Sequence, residues 1–541
     1  MHFKKLILFF TEDLKFYLTE VIINKEGIPS FLQFTFFTFQ KEKAMESLNL
    51  CDYPWIPVAG EKDRKSLIQI FSDSSLRRLS GNPVDKIVIL RLLLCIVQAS
   101  SKLPDNDAWL KLTDETLAQN ALAYLKKHHD CFELYGEHPF LQFPKLAEAG
   151  GRVDSTKDLL VNFADNKVIL LHWDQLLPLS SAEKIILLLR SACYTTSKKN
   201  KFDTGTTLTE GVEKNATGHP GTLLGSKGYL HAYMLGEKIL GTLRLNLLTE
   251  EDIQNIGAYQ NGLGSPFWEK MPRDENDTEY RKTYFGQLFP IDKFLMLKGD
   301  GIIKIDGLIY PEDKEGLRDP ALTITHQKGK IEAVLARPSE RPWRQLPALL
   351  SFLRSKQYGG SPYFLSMGSA KLNLSSQKTK YLGFWVGGIE VSSQCGGQSV
   401  KKQNDYVESE FYVNEKDFSH DNFPVYEQLM QDLNDHANCL GKCVSSYYKA
   451  MKNAVEKQLA TKAKSIFWNV MEPRAQEIIL LAFSDQNEEK IKKIKEEKKI
   501  WFRTLCDIYD EVCPHETPRQ ISYWVEASPR FQKIQKAKGK K

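Results

Sequence analysis

The stretch from Ile87 to Val97 constrains the fold of this chain more than any other. It reads IVILRLLLCIV, which is too apolar for a helix with any face toward water. Such a helix is stable only when other segments surround it. We therefore predict a buried helix here. The 541 residues leave room for two or more domains, each with its own core.

Short β-like runs alternate with turns in the middle of the chain, between about residues 240 and 420. The clearest runs are Phe294–Leu297, Ile302–Ile305 and Tyr381–Val386. Ser180 and Glu183 have the spacing of a capping box, which predicts the start of another helix. This part of the chain is therefore predicted to be mixed α and β.

The character of the sequence changes near residue 424. From there on, apolar residues recur every three or four positions, as on one face of a helix: Val444, Tyr448, Met451, Val455 and Leu459. Ile466–Phe483 and Ile491–Ile508 continue in the same style. The predicted fold class is therefore α+β, with a large mixed α/β N-terminal domain followed by a C-terminal four-helix bundle.

These patterns divide the chain into four segments. Residues 45–423 are predicted to form the mixed domain, residues 424–529 the bundle, and residues 530–541 a basic tail. Residues 1–44 match no pattern that we recognise. They are either the product of a mis-assigned start codon, which is the interpretation we favour, or a real extension.

Charge and cysteine content limit the function classes. The net charge of +5 is lower than a protein that coats nucleic acid along its whole length usually carries, so nucleic-acid binding would depend on local patches. Nine scattered cysteines favour reduced thiols and a cytoplasmic location. No apolar run reaches the length of about 18 residues that a membrane span needs. We predict no contact with membranes.

No motif indicates an enzyme. The glycine-rich stretch at residues 218–228 lacks the ending of a phosphate-binding P-loop. His436, Cys439 and Cys443 are spaced almost as on one helix face, but they lack the tight Cys-x-x-Cys knuckle of a structural zinc site. We interpret them as buried residues of the bundle. The sequence thus predicts no catalytic residue, no metal and no cofactor.

Two stretches near the N-terminal end carry a family resemblance. The first is Asn49–Val58 (NLCDYPWIPV), an apolar strand that we expect in the core with Trp55 as its anchor. The second is Glu137–Gln142 (EHPFLQ). Together with Leu90–Leu94 and the C-terminal helices, they resemble CasA, the large subunit of the type I-E CRISPR surveillance complex Cascade. The resemblance extends over most of the chain from about residue 48.

The resemblance implies a recognition module that is not an enzyme. Subunits of this family lie at the 5′ end of the crRNA and recognise the short PAM beside a target in double-stranded DNA. They help to open the duplex, which starts the R-loop, and they later dock the helicase-nuclease that cuts the target. The other implied partners are the backbone and small subunits of Cascade.

The resemblance also implies which residues read the PAM from the minor groove. A glycine loop corresponds to four residues of this chain: Thr217, Gly218, His219 and Gly221. A lysine finger, which projects from a β-hairpin in the family, corresponds to Lys304, with Lys298 as the alternative. A lysine donor suits this task because the minor groove exposes mostly hydrogen-bond acceptors.

Two further loops are implied in the same way. A glutamine wedge at the base of the opened duplex corresponds to Gln398, with Gln394 as the alternative. Insertion of a side chain at a base step costs a few kcal/mol of unstacking, and a glutamine amide can replace some of the lost base contacts. A loop that contacts the crRNA handle corresponds to Leu170, Leu171 and His172. The aromatic residue that the family has at this tip is missing here.

Two other functions stay open at this point. One is a scaffold that only clamps the crRNA 5′ handle, without reading the PAM. The other is a metal- or nucleotide-dependent nuclease, for which the sequence contains no specific feature.

Overall fold

The computed structural model describes residues 10–11, 14–15, 48–148, 153–155, 179–194, 228–273, 277, 279–299, 301–308, 310, 319–327, 330–353, 362–375, 381–390, 406–418 and 421–530. The chain forms two compact units, Met1–Glu46 and Ser47–Lys541. In the first unit, strand β1 (Phe10–Thr11) pairs in antiparallel orientation with β2 (Leu14–Lys15). All further elements belong to the second unit.

Up to residue 417, the second unit contains both helices and strands. The helices are α1 (Leu67–Ser72), α2 (Pro83–Ser100), α3 (Asn106–Lys111), α4 (Asp114–Lys127), α5 (Lys145–Glu148), α6 (Ser181–Cys193), α7 (Ile239–Leu245), α8 (Glu250–Ile256), α9 (Tyr284–Leu288), α10 (Leu346–Leu349) and α11 (Tyr363–Leu374). Short 3-10 turns lie at His129–Phe132, Tyr280–Lys282, Pro342–Gln345, Ser351–Leu353 and Glu415–Asp417. The strands are β3 (Asp154–Ser155), β4 (His231–Leu235), β5 (Lys293–Lys298), β6 (Gly301–Asp306), β7 (Ile324–Gln327), β8 (Lys330–Ala333), β9 (Tyr381–Ile389) and β10 (Tyr406–Asn414).

Helix α2 is the predicted buried helix. Asn82 caps its N-terminus by accepting a hydrogen bond from the amide of Asp85, and every residue from Ile87 to Val97 is buried. The predicted capping box is also confirmed, because the Ser180 and Glu183 side chains each bond the other residue's backbone amide at the start of α6.

The one charged residue within the apolar run of α2 is fully paired. Arg91 is 0% exposed and forms an ion pair with Asp319, with 2.7 Å between Nη2 and Oδ1. Its guanidinium also donates to the hydroxyl of Tyr233 and to the carbonyl of Leu288. A buried charge is tolerated only with such partners, so this network ties α2 to strand β4 and to the end of α9.

The strands form small antiparallel sheets. One sheet has the order β10-β9-β4 and another the order β3-β6-β5, and β7 pairs with β8. Strands β5, β6 and β9 contain the three runs that the sequence predicted. The mixed part of the predicted fold is thus confirmed.

The C-terminal region is helical, as predicted. Its helices are α12 (Phe423–Ala450), α13 (Glu456–Met471), α14 (Ala475–Ala482), α15 (Glu488–Val512) and α16 (Pro518–Ala527). A 3-10 turn at Glu472–Arg474 joins α13 to α14, so the two form one bent helical segment. Helix α12 packs against the other four, which gives a bundle of four helical segments.

One detail of the helical prediction is wrong. The apolar stripe that begins at Val444 does not continue along one helix, because α12 ends at Ala450 and α13 begins only at Glu456. Between them, Lys452 adopts a φ of +58°, which no α-helix accommodates. Val455 is therefore 41% exposed instead of buried. The three-and-four spacing happens to run on through the turn, so the pattern alone does not reveal the break.

Residues 47–541 pack as one compact unit, and the division at residue 423 stays a prediction. Every helix in the described ranges is too short or too polar to cross a bilayer.

Candidate nucleic-acid interface

The hairpin of β5 and β6 carries both candidate lysines. Lys298 pairs with Gly301, so only two residues connect the strands. The first of them, Gly299, has a φ of +61°, a value that residues with a side chain rarely adopt. Tight two-residue turns need this backbone because its twist matches that of the paired strands. The turn thereby fixes the register of the hairpin.

The two lysines occupy different positions on this hairpin. Lys298 is the last residue of β5, next to the turn, and it is exposed. Lys304 lies opposite Leu295, in the body of the hairpin, and it is half-buried. Its neighbours Ile303 and Ile305 are 0% exposed. Of the two, only Lys298 stands at the tip.

Strand β5 lies at the edge of its sheet, and a second segment covers that edge. The side-chain Oε1 of Gln142 accepts a hydrogen bond from the amide of Leu297 at 2.9 Å. The amide of Phe143 donates to the carbonyl of Leu295 at 2.8 Å. Leu295 and Leu297 alternate along the strand, so these two bonds replace the pairing that a further strand would supply.

The covering segment is itself anchored in the core. Gln142 is 5% exposed, and its Nε2 donates to the carbonyl of Leu134 at 2.7 Å. The preceding residue, Leu141, has a φ of +58°, which is uncommon for a residue with a side chain. The ring of Phe143 packs on Phe294 of β5, with 4.1 Å between the ring centroids. The C-terminal end of the stretch Glu137–Gln142 therefore supports the hairpin.

The other stretch that carried the resemblance is hydrogen-bonded to residues 132–134, which also bind Gln142. The amide of Leu50 donates to the carbonyl of Phe132, and the amide of Leu134 donates to the carbonyl of Leu48. Trp55 is 0% exposed and donates its indole N–H to the carbonyl of Leu50, which confirms it as a core anchor. The two stretches are thus linked through residues 132–134, and Gln142 continues this link to the hairpin that ends in Lys298.

The remaining candidate residues lie outside the described part of the chain. They are Thr217, Gly218, His219 and Gly221, Gln394 and Gln398, and Leu170, Leu171 and His172. Their roles stay predictions.

The structure does describe how the strands next to the glutamine candidates are held. Tyr406, the first residue of β10, pairs with Ile389 at the end of β9. Its phenol is hydrogen-bonded by Arg190 of α6, and burial raises its pKa. Arg190 also contacts Asp85 at the start of α2, with 3.4 Å between Nε and Oδ1. Burial raises the pKa of the Asp85 carboxyl, and Arg190 partly offsets this effect.

A second polar group lies two residues further along β10. Glu408 accepts from the Nζ of Lys86 at 2.5 Å and from the indole N–H of Trp385 at 2.6 Å. Sequence reasoning missed both groups. Lys86 and Arg190 lie on helices α2 and α6, most of whose residues are buried and apolar, and a charged residue in such a helix is the signal that could have indicated a structural ion pair.

The candidate metal ligands of the bundle are core residues. His436, Cys439 and Cys443 are all buried on α12, as we predicted from their spacing, and burial lowers the pKa of His436. Across the described ranges, no group of three His, Cys, Asp or Glu side chains is arranged to hold a metal ion.

Comparison with protein families gives one clear result. The sequence pattern of the family described as CRISPR-associated protein Cse1 matches residues 49–511. This match begins where the predicted resemblance begins and includes both of the diagnostic stretches. No curated protein sequence matches the chain.

Solved structures share the fold over nearly the whole chain. The crystal structure of Thermobifida fusca Cse1 has a TM-score of 0.69 at 17% identity, and the match covers 91% of this chain and 97% of that one. The crystal structure of Thermus thermophilus CasA has a TM-score of 0.66 at 17% identity, with 92% and 100% covered. A chain of a CRISPR RNA-guided surveillance complex has a TM-score of 0.63 at 16% identity, with 89% and 98% covered. The mixed fold with a helical C-terminal region is common to all of them.

Proposed function

Because the chain belongs to the family of CRISPR-associated protein Cse1, the CasA family, we propose that it is the large subunit of a type I-E Cascade complex. In that complex it recognises the PAM in target double-stranded DNA and initiates the R-loop. It also binds the 5′ handle of the crRNA, contacts the backbone and small subunits, and docks the helicase-nuclease. It performs these tasks by binding and not by catalysis.

One observation carries the PAM-reading part of the proposal. Lys298 is exposed at the tip of a tight hairpin, and the residue before it, Leu297, is held by Gln142, the last residue of one of the two stretches typical of the family. A lysine on such a tip presents three N–H donors beyond the backbone. The acceptors on the floor of the minor groove are the matching partners. This geometry favours Lys298 over Lys304 as the finger, since Lys304 lies half-buried between two strands.

The modest net charge of +5 agrees with a protein that reads only the PAM and leaves the rest of the target sequence to the guide RNA. A protein that reads only a short PAM needs few contacts, because base pairing with the guide RNA supplies the rest of the specificity. The proposed wedge residues, Gln398 or Gln394, then act after PAM binding, when a base step has to be unstacked.

The test is a binding assay on the complete complex. Cascade is reconstituted with crRNA and this chain, and its affinity for duplexes with a library of PAM sequences is measured at several fixed salt concentrations. The wild type should prefer a subset of PAMs. Lys298→Ala should reduce that preference by about tenfold and leave crRNA assembly unchanged, since one specific base contact is lost. Lys126→Ala, which removes an exposed lysine at the end of α4, serves as the matched control.

Each other result has a definite meaning. Equal affinity of the wild type for all PAMs would reject PAM reading and leave the scaffold function. Weaker binding of Lys298→Ala to every duplex, with a log-log salt slope that is smaller by about 0.9, would make Lys298 a phosphate contact instead of a reader. If Lys304→Ala, and not Lys298→Ala, removes the preference, the finger is Lys304.

A further inference from the structure

The edge of β5 that pairs with no other described strand ends at Lys298, the proposed reading lysine. An edge strand presents unpaired N–H and C=O groups on alternate residues. Here those groups belong to Leu295 and Leu297, and the latter precedes Lys298 in the chain. A group that binds the Leu297 amide therefore constrains the backbone directly beside Lys298.

The group that binds this amide is a side chain and not a backbone. The Gln142 carboxamide uses its oxygen for the Leu297 amide and its nitrogen for the Leu134 carbonyl. The amide of Leu134 in turn donates to the carbonyl of Leu48. Gln142 is only 5% exposed, so water does not compete for either bond. Its carboxamide forms a fixed bridge from the core to the residue beside Lys298.

We propose that Gln142 is a positioning residue for PAM recognition, which sets the position of the Lys298 ammonium group in the minor groove without touching DNA itself. The inference rests on the proposed function. Reading of a groove depends on donor placement at the scale of a hydrogen bond, and supports that hold a functional group within about 0.5 Å decide whether it works. Gln142 would thus determine specificity through the backbone of β5.

A purely structural role for Gln142 makes different predictions. Loss of fold stability would weaken binding to every duplex, whereas loss of positioning lowers only the preference for PAM-containing duplexes. A positioning role also requires Lys298. Once alanine replaces this lysine, the tip carries no ammonium group, so a displacement of the tip no longer changes the PAM preference. The two effects of Gln142 and Lys298 should therefore not add.

The experiment is a double-substitution cycle in reconstituted Cascade. The preference for PAM-containing over PAM-lacking duplexes is measured for wild type, Gln142→Met, Lys298→Ala and the double variant, at a temperature well below unfolding. Gln142→Met keeps the side-chain volume and removes both hydrogen bonds. We expect it to lower the preference about fivefold, and to lower it no further when Lys298 is already alanine. Gln142→Glu keeps the acceptor for the Leu297 amide and should restore part of the preference.

The outcomes separate this inference from the proposed function. A wild type without PAM preference rejects the proposed function itself. A wild type with a preference that Lys298→Ala abolishes and Gln142→Met leaves intact overturns only the positioning role. Additive losses in the double variant overturn it as well.

A measurement on the unmodified chain covers the case in which Gln142→Met does not fold. Hydrogen exchange of the Leu297 amide should be slow, because a buried side chain holds it. Exchange at the rate of an exposed amide would show that the bridge is absent and would reject the inference.

Discussion

Two of the three proposed DNA-contacting elements, the lysine finger and the glutamine wedge, belong to the hairpin β5–β6 and to the connection between β9 and β10, and a glutamine side chain binds the outer strand of each pair as a clamp. On β5, Gln142 binds the amide of Leu297. On β10, Gln476 binds a single residue twice: its Oε1 accepts from the amide of Tyr412 at 2.9 Å, and its Nε2 donates to the Tyr412 carbonyl at 2.7 Å. The chemistry is the same, because an amide side chain substitutes for the neighbouring strand that an edge lacks.

The difference lies in where each clamp comes from. Gln142 belongs to a buried segment of the mixed α/β region. In the hairpin that it contacts, only two residues connect β5 to β6. Gln476 belongs to α14 of the helical region and is half-buried. It contacts β10, which residues 390–405 connect to β9. The first clamp ties a short tip to a rigid core. The second ties the sheet to the helices, so a shift of the helices would reach β10 directly.

The largest expected effect concerns the junction of β9 with the helices. Phe384 is 0% exposed and packs on Phe411 and Phe418, each with 5.5 Å between ring centroids, and Phe418 continues to Phe483 of the helical region. Phe384→Ala should lower the free energy of unfolding by about 4 kcal/mol, since it leaves a cavity in a chain of rings. Urea denaturation of the isolated chain measures this. A loss below about 1 kcal/mol would mean that the junction repacks and is not a rigid tie.

The Gln142 clamp should contribute less than this aromatic junction. Gln142→Met leaves the Leu297 amide and the Leu134 carbonyl without the side-chain partner in a buried site. The free energy of unfolding should fall by about 3 kcal/mol, because each buried polar group that loses its partner costs about 1–3 kcal/mol. The same denaturation assay applies, with Gln345→Met just before α10 as a control that loses one half-buried hydrogen bond to Glu340. Equal effects of the two variants would show that the β5 edge is open to water.

The sequence predicted individual helices and strands better than the contacts between them. The run Ile87–Val97 and the capping box at Ser180 are local signals, and both gave correct helices. The clamp between Gln142 and Leu297 joins residues 155 positions apart, and no local pattern contains it. Only the family resemblance marked the stretch around Gln142, without saying what it supports.

The sequence also contains a signal for the position of the turn between the two candidate lysines. The distance from the strand Phe294–Leu297 predicts Lys304 as the finger, with Lys298 as the alternative. The residues after Lys298 read Gly-Asp-Gly, and a two-residue turn between apolar runs is a strong hairpin signal. That turn places Lys298 at the tip. The candidates at residues 170–172, 217–221, 394 and 398 depend on loops, where spacing constrains geometry least.

Substitutions of Gly299 test whether the two-residue turn at the tip of β5–β6 needs a left-handed backbone conformation. Gly299 has a φ of +61°, and a Cβ atom added there would meet nothing within 4 Å, so any cost is that of the backbone alone. Gly299→Ala should destabilise the fold by about 1 kcal/mol, and Gly299→Asn by less, because asparagine tolerates this conformation. Thermal unfolding with both variants checks the order. If alanine and asparagine behave alike, the turn is not held in the left-handed conformation.

The smallest expected effect is on the clamp of β10. Gln476 is half-buried, so water can replace its amide on Tyr412 once it is removed. Gln476→Ala should therefore cost about 1 kcal/mol or less, against about 3 kcal/mol for Gln142→Met. Hydrogen exchange of the Tyr412 amide is the sharper measurement: it should speed up strongly in this variant while the Leu297 amide stays protected. If both amides lose protection together, the two hairpins open as one unit, and the distinction between a clamp tied to the core and a clamp tied to the helices is wrong.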